Sequence, residues 1–206
     1  MDLTKNSYNY FLFLFSVIPL SILVGSSVSL FIIILIDISF IFLILKGGNY
    51  SFLKNDSIKY FLILYLYLIF NSLISIDASS GIFRNFGFIR ILILFIAFNF
   101  FFNQKAFFNK VFKYWLLTFS IVVFDVFFEY FTGSNLLGFP EIRENSRIVS
   151  FFKDEPIVGG YIYGFYLMII GFLLNEYSFK QKKIIFLLVI IFFFAIFLTG
   201  ERSNSI

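Results

Sequence analysis

The chain has 206 residues, of which 60% are hydrophobic, 24% aromatic and only 14% charged, with a formal net charge of +4. Its mean hydropathy is +0.95. A soluble domain carries about 25% charged residues, so this composition excludes an ordinary soluble globule, and its wealth of large apolar side chains excludes disorder.

The chain has neither cysteine nor histidine. That removes disulfides, thiolate nucleophiles, imidazole acid–base chemistry and the commonest metal ligands, so no metal and no cofactor is expected. Neither a P-loop nor a dinucleotide-binding glycine fingerprint occurs, which argues against a soluble nucleotide donor. No nucleic-acid partner is expected, because the basic residues are spread along the chain as ordinary topological charge. The 36 Phe and abundant Ile, Lys, Asn and Tyr fit AT-rich coding, so single Phe residues carry no functional weight.

A membrane helix needs roughly 20 residues, and apolar runs of that length, without period-2 alternation, read as helices and not as barrel strands. The expected fold is all-α, a polytopic transmembrane bundle of about seven spans forming a single domain over 1–206. The first run, near 8–25, follows Lys5 and passes Pro19 without a small-x-small cleavage site, so it reads as a membrane helix and not as a signal peptide. The second, near 27–46, carries Asp37 in its middle, for which a Ser or Asn on a neighbouring helix is the expected partner. The third lies near 58–76. The fourth, near 82–102, carries Arg84 and Arg90. The fifth, near 112–132, carries Asp125 and Glu129, which share a face at i,i+4 spacing.

The longest polar connection follows at 133–156. Pro156 is suited to the first turn of the sixth span, near 157–175. Asp154 and Glu155 then sit at that helix's positive end, and Gly160 with Gly164 makes a small-xxx-small packing pair. The seventh span lies near 184–199. The chain stops soon afterwards, and is expected to be the N-terminal part of a longer protein.

With the N-terminus in the cytoplasm, ten basic residues fall on the inner side: Lys5, Lys46, Lys54, Lys59, Lys105, Lys110, Lys113, Lys180, Lys182 and Lys183. The outer side receives the other six, Arg84, Arg90, Arg143, Arg147, Lys153 and Arg202. The positive-inside rule therefore orients the N-terminus inward. Every inner base is Lys and every Arg is outer. The guanidinium is a planar fork that matches phosphate or carboxylate, so Arg90, Arg143, Arg147 and Arg202 are candidate anion ligands. Counted from the outer ends, Arg84 and Arg90 lie roughly three and nine residues deep and Glu129 and Asp125 roughly three and seven, so pairing of Arg84 with Glu129 and of Arg90 with Asp125 is expected, either as structural ion pairs or with the acids orienting the arginines.

Two runs carry a family resemblance. RIVSFFKDEPIVGGY from Arg147 to Tyr161 resembles the R-x-x-(S/G)-x-F-x-(D/N)-E-x-x-x-(G/A)-x-Y stretch of the O-antigen ligase and polymerase family. LTGERSN from Leu198 to Asn204 resembles that family's T-G-(E/S)-R-(S/G) stretch, and GSNLLG from Gly133 to Gly138 is also similar to these proteins. The two longer runs occur in the family's order, on one expected side, one helical hairpin apart. The resemblance covers 80–206; residues 1–79 match only as apolar spans. It implies a bacterial inner-membrane, metal-independent glycosyltransferase working on the periplasmic face. The donor would be an undecaprenyl-diphosphate-linked glycan, and the acceptor lipid A-core, another lipid-linked repeat or a protein. It places Arg147 and Arg202 near the diphosphate and gives Glu155 an acidic role, for which general base is the best fit. Two other classes stand beside it: a transporter or flippase for a lipid-linked glycan, and a non-catalytic membrane scaffold.

Overall fold

A computed structural model describes residues 5–47, 51–76, 78–138, 147–152, 157–176 and 182–200. Every regular element among them is helical, and the helices follow the apolar runs closely. They are α1 (Lys5–Val24), α2 (Ser26–Gly47), α3 (Asp56–Leu73), α4 (Ala78–Gly87), α5 (Ile89–Phe102), α6 (Lys105–Thr132), α7 (Val158–Glu176) and α8 (Lys182–Leu198), with short 3-10 turns at Ser51–Lys54 and Ser150–Phe152. Six stretches are long and apolar enough to cross a membrane, counting Ala78–Phe102 as one, and Lys183–Leu198 is a shorter apolar helix. The fourth expected span differs in one respect. It is two helices broken after Gly87, with Phe88 in a turn conformation between them.

The chain divides into two compact units, one of residues 1–18 and 27–110, the other of 19–26 and 111–206. The first is held by rings. Phe15, Phe101 and Phe107 are fully buried. Phe101 stacks on Phe107 at 5.0 Å and meets Phe11 at 4.4 Å, while Phe40 reaches Phe100 at 5.6 Å. Edge and offset ring pairs of this kind contribute about 0.5–1.5 kcal/mol each beyond their area. These phenylalanines thus serve packing, whatever coding bias supplied them.

The α3–α4 hairpin in this unit is tied by polar groups. Asn85 Nδ2 donates to the Leu68 carbonyl at 2.9 Å and to Ser72 Oγ. The helices approach closely because Gly81 has no side chain: a Cβ there would lie 3.3 Å from Ser72 Cβ. At the other end of α3, Asn55 caps the helix by accepting from the Ser57 amide at 3.0 Å, and Asn55 Nδ2 reaches Asn99 Oδ1 at 3.3 Å.

The second unit packs α6, α7 and α8. Phe112 stacks on Phe172 at 5.2 Å, Trp115 meets Phe165 edge-on at 5.5 Å, and Phe119 meets Phe192 at 4.8 Å. In the spans of α6 and α7, 44% of residues are buried, against 17% in α3 and in 78–102. The large apolar residues left outward, such as Phe124, Phe131 and Leu167, suit hydrocarbon and not water.

Candidate functional site

The second unit gathers its polar side chains at one place, where α6 ends. Helix α6 stops at Thr132 because Gly133 adopts φ +76, a left-handed conformation open to glycine. The Gly133 amide closes the last turn on the Glu129 carbonyl at 2.8 Å. A tight turn follows at once. Asn135 Oδ1 accepts from the Leu137 amide at 3.0 Å, and the Gly138 amide donates to the Asn135 carbonyl at 2.9 Å. Asn at the first position and Gly at the fourth are the residues such a turn favours. The GSNLLG run is thus a helix stop joined to a turn.

Returning from the loop, residues 147–152 lie against α6. Asp125 is fully buried and Glu129 is 1% exposed, one helical turn apart on one face. Glu129 Oε1 and Oε2 accept from the amides of Val149 at 3.1 Å and Ser150 at 2.6 Å. Asp125 Oδ1 accepts from the Leu136 amide at 2.7 Å, and its Oδ2 from Ser150 Oγ at 2.5 Å. Asn135 Nδ2 donates to the Ser150 carbonyl at 2.6 Å. Ser150 therefore has its amide, hydroxyl and carbonyl all engaged, by three different side chains.

Ser150 is also the one described non-glycine residue with positive φ, at +50. That conformation costs an L-residue of order 1–3 kcal/mol and persists only where the surroundings over-determine it. Here they do. A hydrogen bond to a charged group contributes about 1.5–3 kcal/mol, and Asp125 and Glu129 receive four between them. Those four bonds also satisfy two carboxylates that would otherwise meet a burial penalty of several kcal/mol each.

The two carboxylates were expected to face Arg84 and Arg90. Their described partners in this unit are main-chain amides and one hydroxyl, because α6 turns its acidic face to the returning segment. Ser150 and Asn135 were not singled out from the sequence. The usable signal was the i,i+4 acid pair one turn before a glycine stop, since such a pair can staple the segment that follows.

Arg147 is half-buried and in isolated β-bridge geometry, as is Ser134. It stands two residues before the first amide that Glu129 binds. Behind it Ile148, Val149 and Phe152 are buried, and Phe152 meets Tyr161 of α7 at 5.5 Å. Gly159 and Gly160 fall in the first turn of α7, the former buried and the latter exposed. Arg143, Lys153, Asp154, Glu155, Pro156 and Arg202 lie outside the described residues. Thr199 is buried at the end of α8, its hydroxyl donating to the Ile196 carbonyl at 2.7 Å, and Gly200 follows at φ +69.

In the first unit, Arg84 and Arg90 are exposed on α4 and on the first turn of α5. Asp37 is 5% exposed, and its Oδ1 has no hydrogen-bond partner. The Ser or Asn contact expected for Asp37 is not made by that oxygen.

The described residues thus establish an all-α, polytopic membrane helical bundle with a carboxylate-stapled turn at the end of one span. No group of three or more metal-ligating residues occurs among them. Comparison with known proteins gives no match: no family model, no curated protein and no solved structure matches the chain.

Proposed function

We propose that the chain takes part in transferring an undecaprenyl-diphosphate-linked glycan to lipid A-core or to another lipid-linked repeat, on the periplasmic face of a bacterial inner membrane. One observation carries the reading: a strained Ser150, clamped by Asp125, Glu129 and Asn135, fixes the segment that begins at Arg147. Strain of this kind clusters at functional sites, and a loop on a rigid helical end is where binding groups are placed. The order of the RIVSFFKDEPIVGGY and LTGERSN runs supports it, as does the sorting of every Arg to the outer half that the positive-inside rule gives.

The chemistry follows from the donor. An acceptor hydroxyl attacks the anomeric carbon, and the bond from that carbon to the diphosphate oxygen breaks. The electron pair passes to the diphosphate, and the hydroxyl proton to a general base. Arg147, with Arg143 and Arg202, would neutralise the departing diphosphate, an effect typically of several kcal/mol in a low-dielectric site. Glu155 is the base in this reading. Asp125 and Glu129 position the loop and take no part in bond making.

The test is glycan profiling of the source strain with the gene deleted, then complemented with wild type or with Arg147→Ala. Loss of capped lipopolysaccharide with lipid-linked polymer retained supports a ligase, and a single repeat on the core supports a polymerase. Rescue by Arg147→Ala at the wild-type level overturns the role given to Arg147, and unchanged glycans in the deletion strain overturn the whole reading.

A second reading is favoured by one feature, the break after Gly87 within the span 78–102. Interrupted helices at mid-span are a mark of transporters, so a flippase for the same lipid-linked substrate is the alternative. It predicts donor retained on the cytoplasmic side of the deletion strain, whereas the transferase predicts donor accumulating on the outer side.

A further inference from the structure

Three acidic side chains are buried among the described residues: Asp37, Asp125 and Glu129. The last two belong to the loop clamp, which gives each of their four carboxyl oxygens a donor. Asp37 is held differently. It is the twelfth of the 22 residues of α2 (Ser26–Gly47), roughly 16 Å from either end at about 1.5 Å per residue. Helix α2 is the most apolar of the six long spans, and Asp37 is its one acidic residue. The other buried residues of the helix are Ile36, Phe40 and Ile44, and Asp37 Oδ1 has no hydrogen-bond partner.

The elements against α2 bring no cation to this oxygen. Helix α1 meets α2 where Tyr10 Oη and Ser39 Oγ share a hydrogen bond at 2.9 Å. Helix α5 meets it where Phe40 lies 5.6 Å from Phe100 and 6.2 Å from Phe101. Besides Asp37, the charged residues of these three helices are Lys5, Lys46 and Arg90. All three are exposed, Lys5 and Arg90 at the starts of α1 and α5 and Lys46 at the end of α2. The Tyr10 phenol is engaged with Ser39, and the Tyr8 ring lies under Lys110 Nζ at 5.5 Å. Among the described residues the one ion pair is that of Lys59 with Asp56.

An ionised carboxylate buried among apolar groups, without a paired charge or a donor for each oxygen, is too costly to keep, and such a group neutralises instead. A metal ion asks for several oxygen ligands, and no group of three or more metal-ligating residues occurs among the described residues. A proton needs the carboxyl alone. We infer that Asp37 is a proton-binding site in the middle of α2, its carboxyl compensated by a bound proton and not by a side chain. Uptake and release there change the charge at the centre of the span, which is how intramembrane carboxyls serve proton relays. Glycan transfer makes no use of this group, and the inference does not rest on it.

The test is infrared spectroscopy of the full chain at neutral pH, in nanodiscs of ether-linked phosphatidylcholine, which has no ester carbonyl of its own. The aspartate side-chain carboxyls are isotopically labelled, so that a protonated aspartic acid is recognised by the shift of its carbonyl band. One such band is expected. It should persist in Asp125→Asn, vanish in Asp37→Asn, shift in heavy water as an exchangeable proton requires, and be unchanged by sodium. Should Asp37→Asn fail to fold, Asp37→Glu keeps the acid and removes the band from the labelled set.

A spectrum without a protonated aspartic acid overturns the inference, as does a band that survives both Asp37→Asn and Asp37→Glu. A band that sodium removes assigns the site to a metal cation and overturns it too. A band that heavy water leaves unshifted shows a proton that does not exchange, and overturns the binding site. None of these readings needs glycan transfer, so failure of the proposed function and failure of this inference are read separately.

Discussion

Glu129→Gln perturbs the clamp with the smallest change in shape. Wild-type Glu129 accepts from two consecutive buried amides, Val149 and Ser150. The amide side chain keeps one acceptor oxygen and turns an NH2 group toward the other amide. One charge-assisted bond is lost, and one buried N–H is left unsatisfied at about 1–3 kcal/mol. The surviving bond becomes a neutral one of about half the strength. The local cost is therefore about 2–4 kcal/mol, borne by residues 147–152, while the rings that hold α6 against α7 and α8 are untouched.

The assay is hydrogen exchange in nanodiscs, resolved to the peptide containing Val149 and Ser150. Local opening free energy sets exchange here, and each 1.4 kcal/mol is a factor of ten. Exchange at these two amides is expected to accelerate roughly thirty- to several-hundred-fold, with the α6 peptide around Phe119 unchanged. If both amides exchange as fast in wild type as in the variant, the clamp does not hold the loop.

Three further outcomes follow from the same contacts. Ser150→Ala loses the hydroxyl bond to Asp125 and keeps the positive φ, whereas Ser150→Gly loses the bond and relieves the strain. Alanine should therefore be less stable than glycine by about 1 kcal/mol, with wild type the most stable in detergent melts; alanine above glycine would contradict the strain. Asn135→Ala removes the donor to the Ser150 carbonyl and the acceptor of the Leu137 amide, at a cost of about 2 kcal/mol, and should speed exchange at 135–138 as well as at 149–150; acceleration confined to 135–138 would separate the turn from the clamp. Gly81→Leu should lower the melting temperature by opening the α3–α4 hairpin, where even a Cβ would stand 3.3 Å from Ser72, whereas Gly164→Leu has open space and should leave it within a degree or two; equal losses at both would remove the packing argument.

The spans were legible because helices in hydrocarbon must be long and apolar, so α1, α2, α3, α7 and α8 fall within a few residues of the runs that predict them. Helix α6 ends where expected but starts seven residues early, at Lys105, because its first two turns carry Lys105, Asn109 and Lys110 and are too polar to read as part of the run. The break at Gly87 was not legible in hydropathy, since Phe88 and Ile89 are apolar and continue the run. It shows in the hydrogen bonds around Asn85 and Ser72, which pull α4 onto α3. The carboxylate pair and its shared face were legible in the i,i+4 spacing, but the main-chain amides that it binds were not. Main-chain amides are written in no residue's name, so a pattern of side chains passes over them. Ser150 shows the same limit, because nothing in the letters marks a serine for a left-handed conformation.

In the proposed function, the clamped segment starting at Arg147 meets the lipid diphosphate. Photo-crosslinking with a photoreactive polyprenyl diphosphate, followed by peptide mapping, addresses it most directly. Labelling is expected within 147–152, and Arg147→Ala should remove it while exchange protection at Val149 and Ser150 is kept. Labelling of 147–152 that survives Arg147→Ala, or labelling confined to other segments, would contradict it.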